Sequence, residues 1–274
     1  MAEAIEVLEG IQKLSSDLRK SAATLTLNEA RYAVDTYYAV QKFRIEASNR
    51  ISAIARGEDD EPHLFLDWML AQMKGYENSI KGALGKFAAA QPQGDWLDSV
   101  KGIGPVIAAG LCAHIDIHKA PTVGHIWSFA GLNPTVEWKK GEKRPWNADL
   151  KTLCWKIGES FVKVSGKEDA FYGQLYKQRK ALEVERNDRG DFADQAARKL
   201  EKFNIGKSTD AYKAYSSGKL PDAHVHARAK RWAVKLFLAH FHHVSYLTIL
   251  HEQPPKPYII AHGDHVHEVL PPNL

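Results

Sequence analysis

The chain has 274 residues, of which 44% are hydrophobic and 26% are charged. These proportions are ordinary for a folded globular protein and exclude a chain that is mainly disordered. Its 37 Lys and Arg residues against 33 Asp and Glu give a formal net charge of only +4, so any preference for a polyanion depends on local clusters of basic residues. Two cysteines, Cys112 and Cys154, are too few for a disulfide framework or a cysteine-rich zinc site.

The N-terminal sequence MAEAIEVLEG is acidic and lacks the layout of a secretory signal. No stretch approaches the ~18 consecutive apolar residues that a membrane span needs. We therefore expect a cytoplasmic protein that is not associated with a membrane.

Apolar residues recur every three or four positions through residues 1–92, which predicts helices. A first helix runs from Ile5 to Leu18, and a second begins at a capping box formed by Thr26 and Glu29. The apolar stripe of the second helix comprises Ala30, Ala33, Tyr37, Val40, Arg44, Ala47, Ile51 and Ile54. After an acidic turn over 57–62, the stripe of a third helix comprises Phe65, Met69, Gln72, Tyr76, Ile80, Leu84 and Phe87. Such a helical hairpin or coiled-coil arm favours a homodimer that covers the stripes.

A linker over 90–94 leads into a second helical region, 93–253, and a Pro- and His-rich extended tail occupies 254–274. The pattern predicts short helices as far as 166, a charged helical stretch over 171–203 and an apolar helix over 224–251. Val266, Val269 and Leu270 suggest a short strand. The predicted fold class is mainly α: an N-terminal helical hairpin or coiled coil, followed by a helical domain that contains a helix-hairpin-helix.

The motif Gly102-Ile103-Gly104 lies between two apolar stretches, with Pro105 at the start of the second. Glycines allow positive backbone dihedrals in a tight turn and let backbone amides approach a phosphate oxygen. The free amides of the helix that follows, together with its dipole, favour an anion. The sequence therefore predicts a helix-hairpin-helix that holds nucleic-acid backbone through Lys101, Gly102, Ile103, Gly104 and Val106. An ordinary glycine turn between packed helices is the alternative.

Basic residues cluster between Trp138 and Lys156, where only Glu142 and Asp149 oppose them. We expect the cluster to neutralise phosphates, and its predicted contacts are Lys139, Lys140, Lys143, Arg144 and Lys151. A solvated surface without a ligand is the alternative. Within this loop Trp138 and Trp146 are expected to be exposed, where they could stack on unpaired bases.

Further along, Ala130-Gly131-Leu132-Asn133-Pro134 follows the Gly-Ile-Gly motif by about thirty residues and precedes the basic loop. In this order and spacing the motifs resemble the C-terminal domain of insertion-sequence transposases of the IS110/IS116 family. The helical hairpin before them is similar to the coiled coil that precedes that domain, so the resemblance extends over roughly residues 26–250. It implies DNA binding, or binding of structured RNA, in transposition.

The resemblance also implies two catalytic elements, an acidic RuvC-like domain and a serine in the basic loop. No segment of this sequence matches the first, and Lys140 stands in the serine's place, so no catalytic residue is expected. Ser160, beside Glu159 on a predicted helix, could be considered as a substitute nucleophile. A serine in a helix, however, usually forms a hydrogen bond with its own backbone, and this is the expected role of Ser160. We expect no cofactor.

Two other functions remain open. An active recombinase could use an unrecognised serine, or a metal held by histidines such as His240 and His243 or His262, His265 and His267. The more ordinary role for these histidines is packing or surface contact, and no metal site is predicted. Alternatively, the arm could assemble a structural complex, with the glycine motif serving only as a turn.

Overall fold

The structure is a computed structural model that describes residues 14–56, 63–256 and 268–274. These residues form eleven α-helices and no strand, so the mainly α prediction is confirmed for the described part of the chain. Contacts divide the chain into two compact units: Met1–Asp98 with Gly104–Asp116, and Ser99–Ile103 with Ile117–Leu274. None of the described helices is long and apolar enough to cross a membrane.

The first unit is built on two long helices. Its helices are α1 (Ser16–Ser21), α2 (Leu27–Ile54), α3 (Leu64–Ala89), α4 (Gly94–Ser99, whose last residue groups with the second unit) and α5 (Pro105–His114), with a short 3-10 helix at Ala22–Thr24. The predicted capping box is confirmed: Glu29 N–H donates to Thr26 Oγ1 at 3.3 Å, and Thr26 N–H donates to Glu29 Oε2 at 2.7 Å. Ile5, Leu8 and Ile11 of the predicted first helix, and the acidic turn, lie outside the described residues.

Helices α2 and α3 are antiparallel and form an arm beyond the point where α5 packs against both of them. Ala47 and Ile51 near the end of α2 pack against Leu70 near the start of α3. In the middle of the arm Arg44 forms an ion pair with Glu77, and Gln41 Nε2 donates to the same carboxylate at 3.0 Å. These contacts fix which turn of α2 faces which turn of α3.

The predicted stripe of α3 is wrong for its first half. The buried positions are Leu70, Glu77, Leu84, Phe87 and Ala88, whereas Phe65 and Tyr76 are 59% and 40% exposed. Helix α3 is apolar around much of its surface, so its periodicity permits two stripes. The face that carries Glu77 is buried because only that face offers Arg44 a carboxylate, and an unpaired charge in the arm would be costly. On α2, Val34 replaces Ala33 in the buried set, and Ile54 is exposed.

The second unit is organised around one long helix. Its helices are α6 (Val123–Phe129), α7 (Ala148–Val164), α8 (Phe171–Asp188), α9 (Ala193–Lys202), α10 (Asp210–Ser216) and α11 (Asp222–Ser245), which a π-helical turn extends over Tyr246–Leu250. Helix α11 packs against α6, α7 and α8. In this core the rings of Phe161 and Tyr172 stack, and Phe237 meets both of them edge to face. The carboxylate of buried Glu183 accepts hydrogen bonds from Arg179 and Arg228.

The predicted charged helical stretch over 171–203 is helical and consists of two helices: α8 ends at Asp188, Gly190 adopts a φ of 91°, and α9 begins at Ala193. One other prediction for this region needs correction. Val269 and Leu270 form no strand; instead Val269 accepts a hydrogen bond from His240 Nε2 at 2.7 Å. Val266 lies outside the described residues.

Candidate nucleic-acid interface

The Gly-Ile-Gly motif lies in a loop over 100–104, called here the GIG loop, which joins α4 to α5. Gly102 adopts a φ of 104°, a conformation that side chains strain. A Cβ at this position would lie 3.2 Å from Phe161 Cδ1 and 3.3 Å from Val164 Cγ2. Both the dihedral angle and the packing against α7 therefore require glycine at 102.

Gly104 is glycine for neither of these reasons. Its φ of −94° and ψ of 172° are extended, and a Cβ there would meet no atom within 4 Å. The positive dihedral that glycine allows is therefore used at Gly102 and not at Gly104. What its missing side chain leaves is open space at the N-cap of α5, where no side chain caps the helix and the first amides have no intrahelical partner.

One of the backbone amides that we predicted to contact phosphate, that of Ile103, is already used within the loop. The Ile103 N–H donates to the Val100 carbonyl at 2.9 Å, which closes the turn. Ile103 itself is 7% exposed and serves as a packing residue. The amides at the start of α5, after Pro105, include that of Val106, whose side chain is buried.

Helix α7 and the turn after it hold the GIG loop in place. The Ser160 hydroxyl donates to the Gly102 carbonyl at 2.5 Å. Lys101 forms an ion pair with Asp169, and this ammonium group lowers the pKa of the Asp169 carboxyl. Ser160, considered as a nucleophile from sequence, instead fixes the orientation of the loop through its hydrogen bond.

The basic loop, which comprises residues 130–147 between α6 and α7, is held at both of its ends. At its start, Gly131 has a φ of 64°, and Asn133 Oδ1 accepts from the Thr135 N–H at 3.0 Å. At its end, the Asn147 N–H donates to the Phe129 carbonyl at 2.9 Å, and Asn147 Oδ1 caps α7 by accepting from the Leu150 N–H at 2.7 Å. The two ends of the loop, where α6 ends and α7 begins, are therefore joined by a hydrogen bond.

Four of the five predicted cations of this region lie in the loop and are exposed: Lys139, Lys140, Lys143 and Arg144. The fifth, Lys151, is on the first turns of α7, with its Nζ 3.9 Å from the ring centre of Trp146. Burial, followed by the repulsion of Arg144, lowers the pKa of Lys151.

Trp138 and Trp146 are half-buried, so the expectation that they are exposed is wrong. Their rings meet edge to face with centres 6.2 Å apart. Trp138 Nε1–H donates to the Glu142 carbonyl at 2.8 Å, and the Arg144 guanidinium lies 5.4 Å from the Trp138 ring centre. The two tryptophans shape the loop from within rather than offering open ring faces.

The GIG loop and the basic loop meet different ends of α7. Gly102 contacts Ser160, Phe161 and Val164, whereas the basic loop leads into α7 at Ala148. With a rise of 1.5 Å per residue, Lys151 and Ser160 are about 14 Å apart along the helix axis. Within the second unit, the predicted contacts at Lys101 and Gly102 and those of the basic loop thus lie at different ends of α7.

Sequence reasoning missed several residues here. Asp169 and the role of Ser160 depend on contacts with partners 68 and 58 positions away, which no local pattern signals. Lys163 was missed although its spacing of seven from Lys156 places both on one face of α7. Trp155, at 58% exposure, was missed because tryptophan usually prefers burial.

Of the histidines considered as metal ligands, the structure describes His240 and His243; His240, and its neighbour His242 on the same helix, contact other groups. His240 lies 2.7 Å from the Tyr172 hydroxyl, and His242 Nε2 lies 2.9 Å from the Ala120 carbonyl. Burial lowers the pKa of both, that of His240 to about 4. In the described part of the chain no three His, Cys, Asp or Glu residues group as a metal site would need, and His262, His265 and His267 lie outside it.

A helical chain that presents a glycine loop before a helix, together with a basic loop, has features of proteins that hold phosphate backbone. Residues 94–144 match the model of the transposase IS116/IS110/IS902 family. The match begins with α4, contains the GIG loop, α5 and α6, and ends in the basic loop. It confirms the resemblance to transposases of this family for this segment and supports a function related to transposition. No curated protein and no solved structure matches the chain.

Proposed function

We propose that this protein binds DNA or structured RNA in transposition by holding the phosphate backbone at the GIG loop and at the basic loop. The observation that carries the proposal is Gly104, which no dihedral angle or packing contact requires to be glycine and which opens the N-terminus of α5 to an anion. Amides of Gly102, Gly104 and Val106 would donate to one phosphate, as a helix N-terminus commonly does. Ile103 would serve only to close the turn.

Cations around the two loops would neutralise neighbouring phosphates: Lys101, Lys139, Lys140, Lys143, Arg144 and Lys151. Neutralising six phosphates releases counterions, so affinity should fall about a thousandfold between about 50 and 200 mM salt. Such contacts position a protein on the backbone without reading base sequence. The proposed ligand is therefore defined by its backbone and its shape.

The proposal includes no strand-transfer activity of this chain's own. The resemblance places Lys140 where the family has its serine, and an ammonium group cannot act as that nucleophile. Ser160 offers no replacement, because its hydroxyl donates to the Gly102 carbonyl and not to a base. Nicking or strand joining in the presence of a divalent metal, lost on Ser160→Ala, would favour the active recombinase instead.

The experiment is fluorescence anisotropy with labelled duplex DNA and a labelled RNA hairpin, each titrated at low and moderate salt. Removing one charge, as in Lys140→Ala or Lys143→Ala, should reduce the slope of log affinity against log salt by about one. Lys213→Ala is the matched control, because Lys213 is an exposed lysine on α10 that pairs with Asp210. Absence of salt-dependent binding to either polymer, by a folded protein, would overturn the proposal.

We also propose that the arm joins two copies of the chain. Phe43 and Ile54 of α2 and Phe65 and Tyr76 of α3 are each at least 40% exposed. At 3.6 residues per turn, all four lie on the same side of the antiparallel pair. A second arm packed on this side would cover them, as in a four-helix bundle.

Sedimentation velocity tests the dimer. A charge on this side, as in Phe43→Glu or Phe65→Glu, should convert dimer to monomer, because a buried unpaired carboxylate is costly. Leu18→Glu is the matched control, an equally exposed apolar residue on α1. A monomeric wild-type chain would remove this part of the proposal and leave nucleic-acid binding untouched.

A further inference from the structure

Trp155, on the solvent face of α7, is 58% exposed. It is unlike Trp138 and Trp146, whose rings are half-buried within the basic loop. An exposed indole is unusual, because its large apolar surface normally gains from burial. Its position, one turn after Lys151 and just over one turn before Ser160, places it on the helix that runs between the basic loop and the GIG loop.

Most of the charged residues that neighbour this indole on α7 and α11 are lysines, and one is Glu159. Lys156 and Lys163 lie on the same solvent face of α7, on the side of Trp155 towards Ser160. After burial, the repulsion of Lys163 is the next cause that lowers the pKa of Lys156, which reflects their proximity. On the other side, Lys230 Nζ of α11 lies 5.6 Å from the Trp155 ring centre and forms an ion pair with Glu159. The aromatic surface therefore lies within a mainly cationic one.

The surroundings decide what kind of partner fits. Protein–protein interfaces are depleted in lysine, so an apolar protein surface is a poor match for a ring framed by ammonium groups. A nucleic acid supplies both complements, because its phosphates pair with lysine and its bases have planar faces that stack on aromatic rings. Bases inside a duplex are already stacked on their neighbours, so only an unpaired base can offer its face to a surface tryptophan.

We propose that the solvent face of α7 is a track for an unpaired stretch of nucleic acid, in which Trp155 stacks on a base while Lys156 and Lys163 contact its phosphates. This inference rests on the proposed function and adds to it the class of ligand. The strand would pass from the basic loop to the GIG loop along about 14 Å of helix. Lys163 and Trp155 thereby join the binding surface, and neither lies in the segment that matches the family model.

The test uses the full chain and two fluorescein-labelled probes of equal length, an oligothymidylate and a blunt-ended duplex. Trp155→Ala should weaken binding of the oligothymidylate roughly five- to hundredfold, the range that loss of one stacked base gives. Binding of the duplex should change less than about twofold, because stacking adds nothing there. Trp155→Tyr keeps an aromatic face and should retain most of the affinity.

Tyr32→Ala is the matched control, since Tyr32 is an exposed aromatic residue on α2 at 75%. Circular dichroism checks that each variant folds, and Trp155→Gln provides a second ring-free variant with a polar side chain suited to an exposed position. If Trp155→Ala weakens the binding of both probes equally, or does not weaken the binding of the oligothymidylate, the proposed track is wrong. Nucleic-acid binding by the chain would still stand. If the wild-type chain binds neither probe and also fails to bind the RNA hairpin, the proposed function fails together with the track.

Discussion

Substitution of the two glycines of the GIG loop should affect different properties: stability at Gly102 and binding at Gly104. Gly102→Ala forces a side chain into a φ of 104° and into contact with Phe161 and Val164. A left-handed conformation alone costs about 1–2 kcal/mol, and crowding against α7 brings the loss to about 2 kcal/mol or more. For a chain of this size each kcal/mol lowers the melting temperature by about 2–4 °C, so we expect a fall of at least about 4 °C.

Gly104→Ala should leave the fold almost unchanged. The residue is extended, and a Cβ there meets no atom within 4 Å. Restricting the unfolded chain stabilises by about 0.4–1 kcal/mol, and the weaker preference of alanine for an N-cap offsets that gain. The added carbon, and more so that of Gly104→Val, would instead obstruct a phosphate that approaches the amides. Losing a hydrogen bond to a charged group should weaken binding roughly ten- to hundredfold.

The assay measures both properties on the same variants. Thermal melting followed by circular dichroism gives stability, and anisotropy with labelled duplex DNA at low salt gives affinity. The expected pattern is that Gly102→Ala melts early, whereas Gly104→Val melts like the wild type and binds poorly. Wild-type affinity of Gly104→Val would refute the reasoning, because the open N-terminus of α5 would then hold no phosphate.

Three further predictions concern the ion pair in the arm, a buried histidine and the basic loop. Removing one partner, as in Glu77→Ala, should destabilise the chain by about 3 kcal/mol, whereas Arg44→Leu combined with Glu77→Leu should recover most of that loss in urea unfolding. Burial lowers the pKa of His240 from 6.5 to about 4. On acidification the imidazole is therefore protonated in the unfolded state at a higher pH than in the folded state. Stability should be complete above about pH 6.5 and fall by roughly 3 kcal/mol as pH drops towards 4, and His240→Phe should flatten this dependence even if it melts lower at neutral pH. Charge reversal at Lys143 and Arg144 should weaken duplex binding at low salt and leave the melting temperature within about 2 °C, since both side chains are exposed; an unchanged affinity would exclude the basic loop from the interface.

Local chemistry made several features of the fold predictable. The start of α2 follows from Thr26 and Glu29, which satisfy each other's backbone groups within four residues. The start of α5 follows from Pro105, whose missing N–H costs nothing at the first position of a helix. The motifs of residues 94–144 likewise sufficed for the family resemblance.

The register of the arm could not be predicted in the same way. The apolar residues of α3 permit two buried stripes, and the sequence pattern favoured the one with Phe65 and Tyr76. Arg44 lies on α2, and its partner Glu77 lies 33 residues later, beyond any helical period. Only the antiparallel pairing shows that this carboxylate meets the guanidinium, and the cost of burying either charge alone then selects the stripe.

The sequence by itself determined the helical class, the helix boundaries that depend on neighbouring residues, the glycine loop and the basic loop. Tertiary structure decided which glycine is required by the fold, because the packing of Gly102 against Phe161 and the hydrogen bond from Ser160 join positions almost sixty residues apart. It also decided that Trp138 is half-buried and Trp155 exposed. The physical reason is that burial and ion pairing depend on which helices pack together, and the period of one helix does not specify its neighbours.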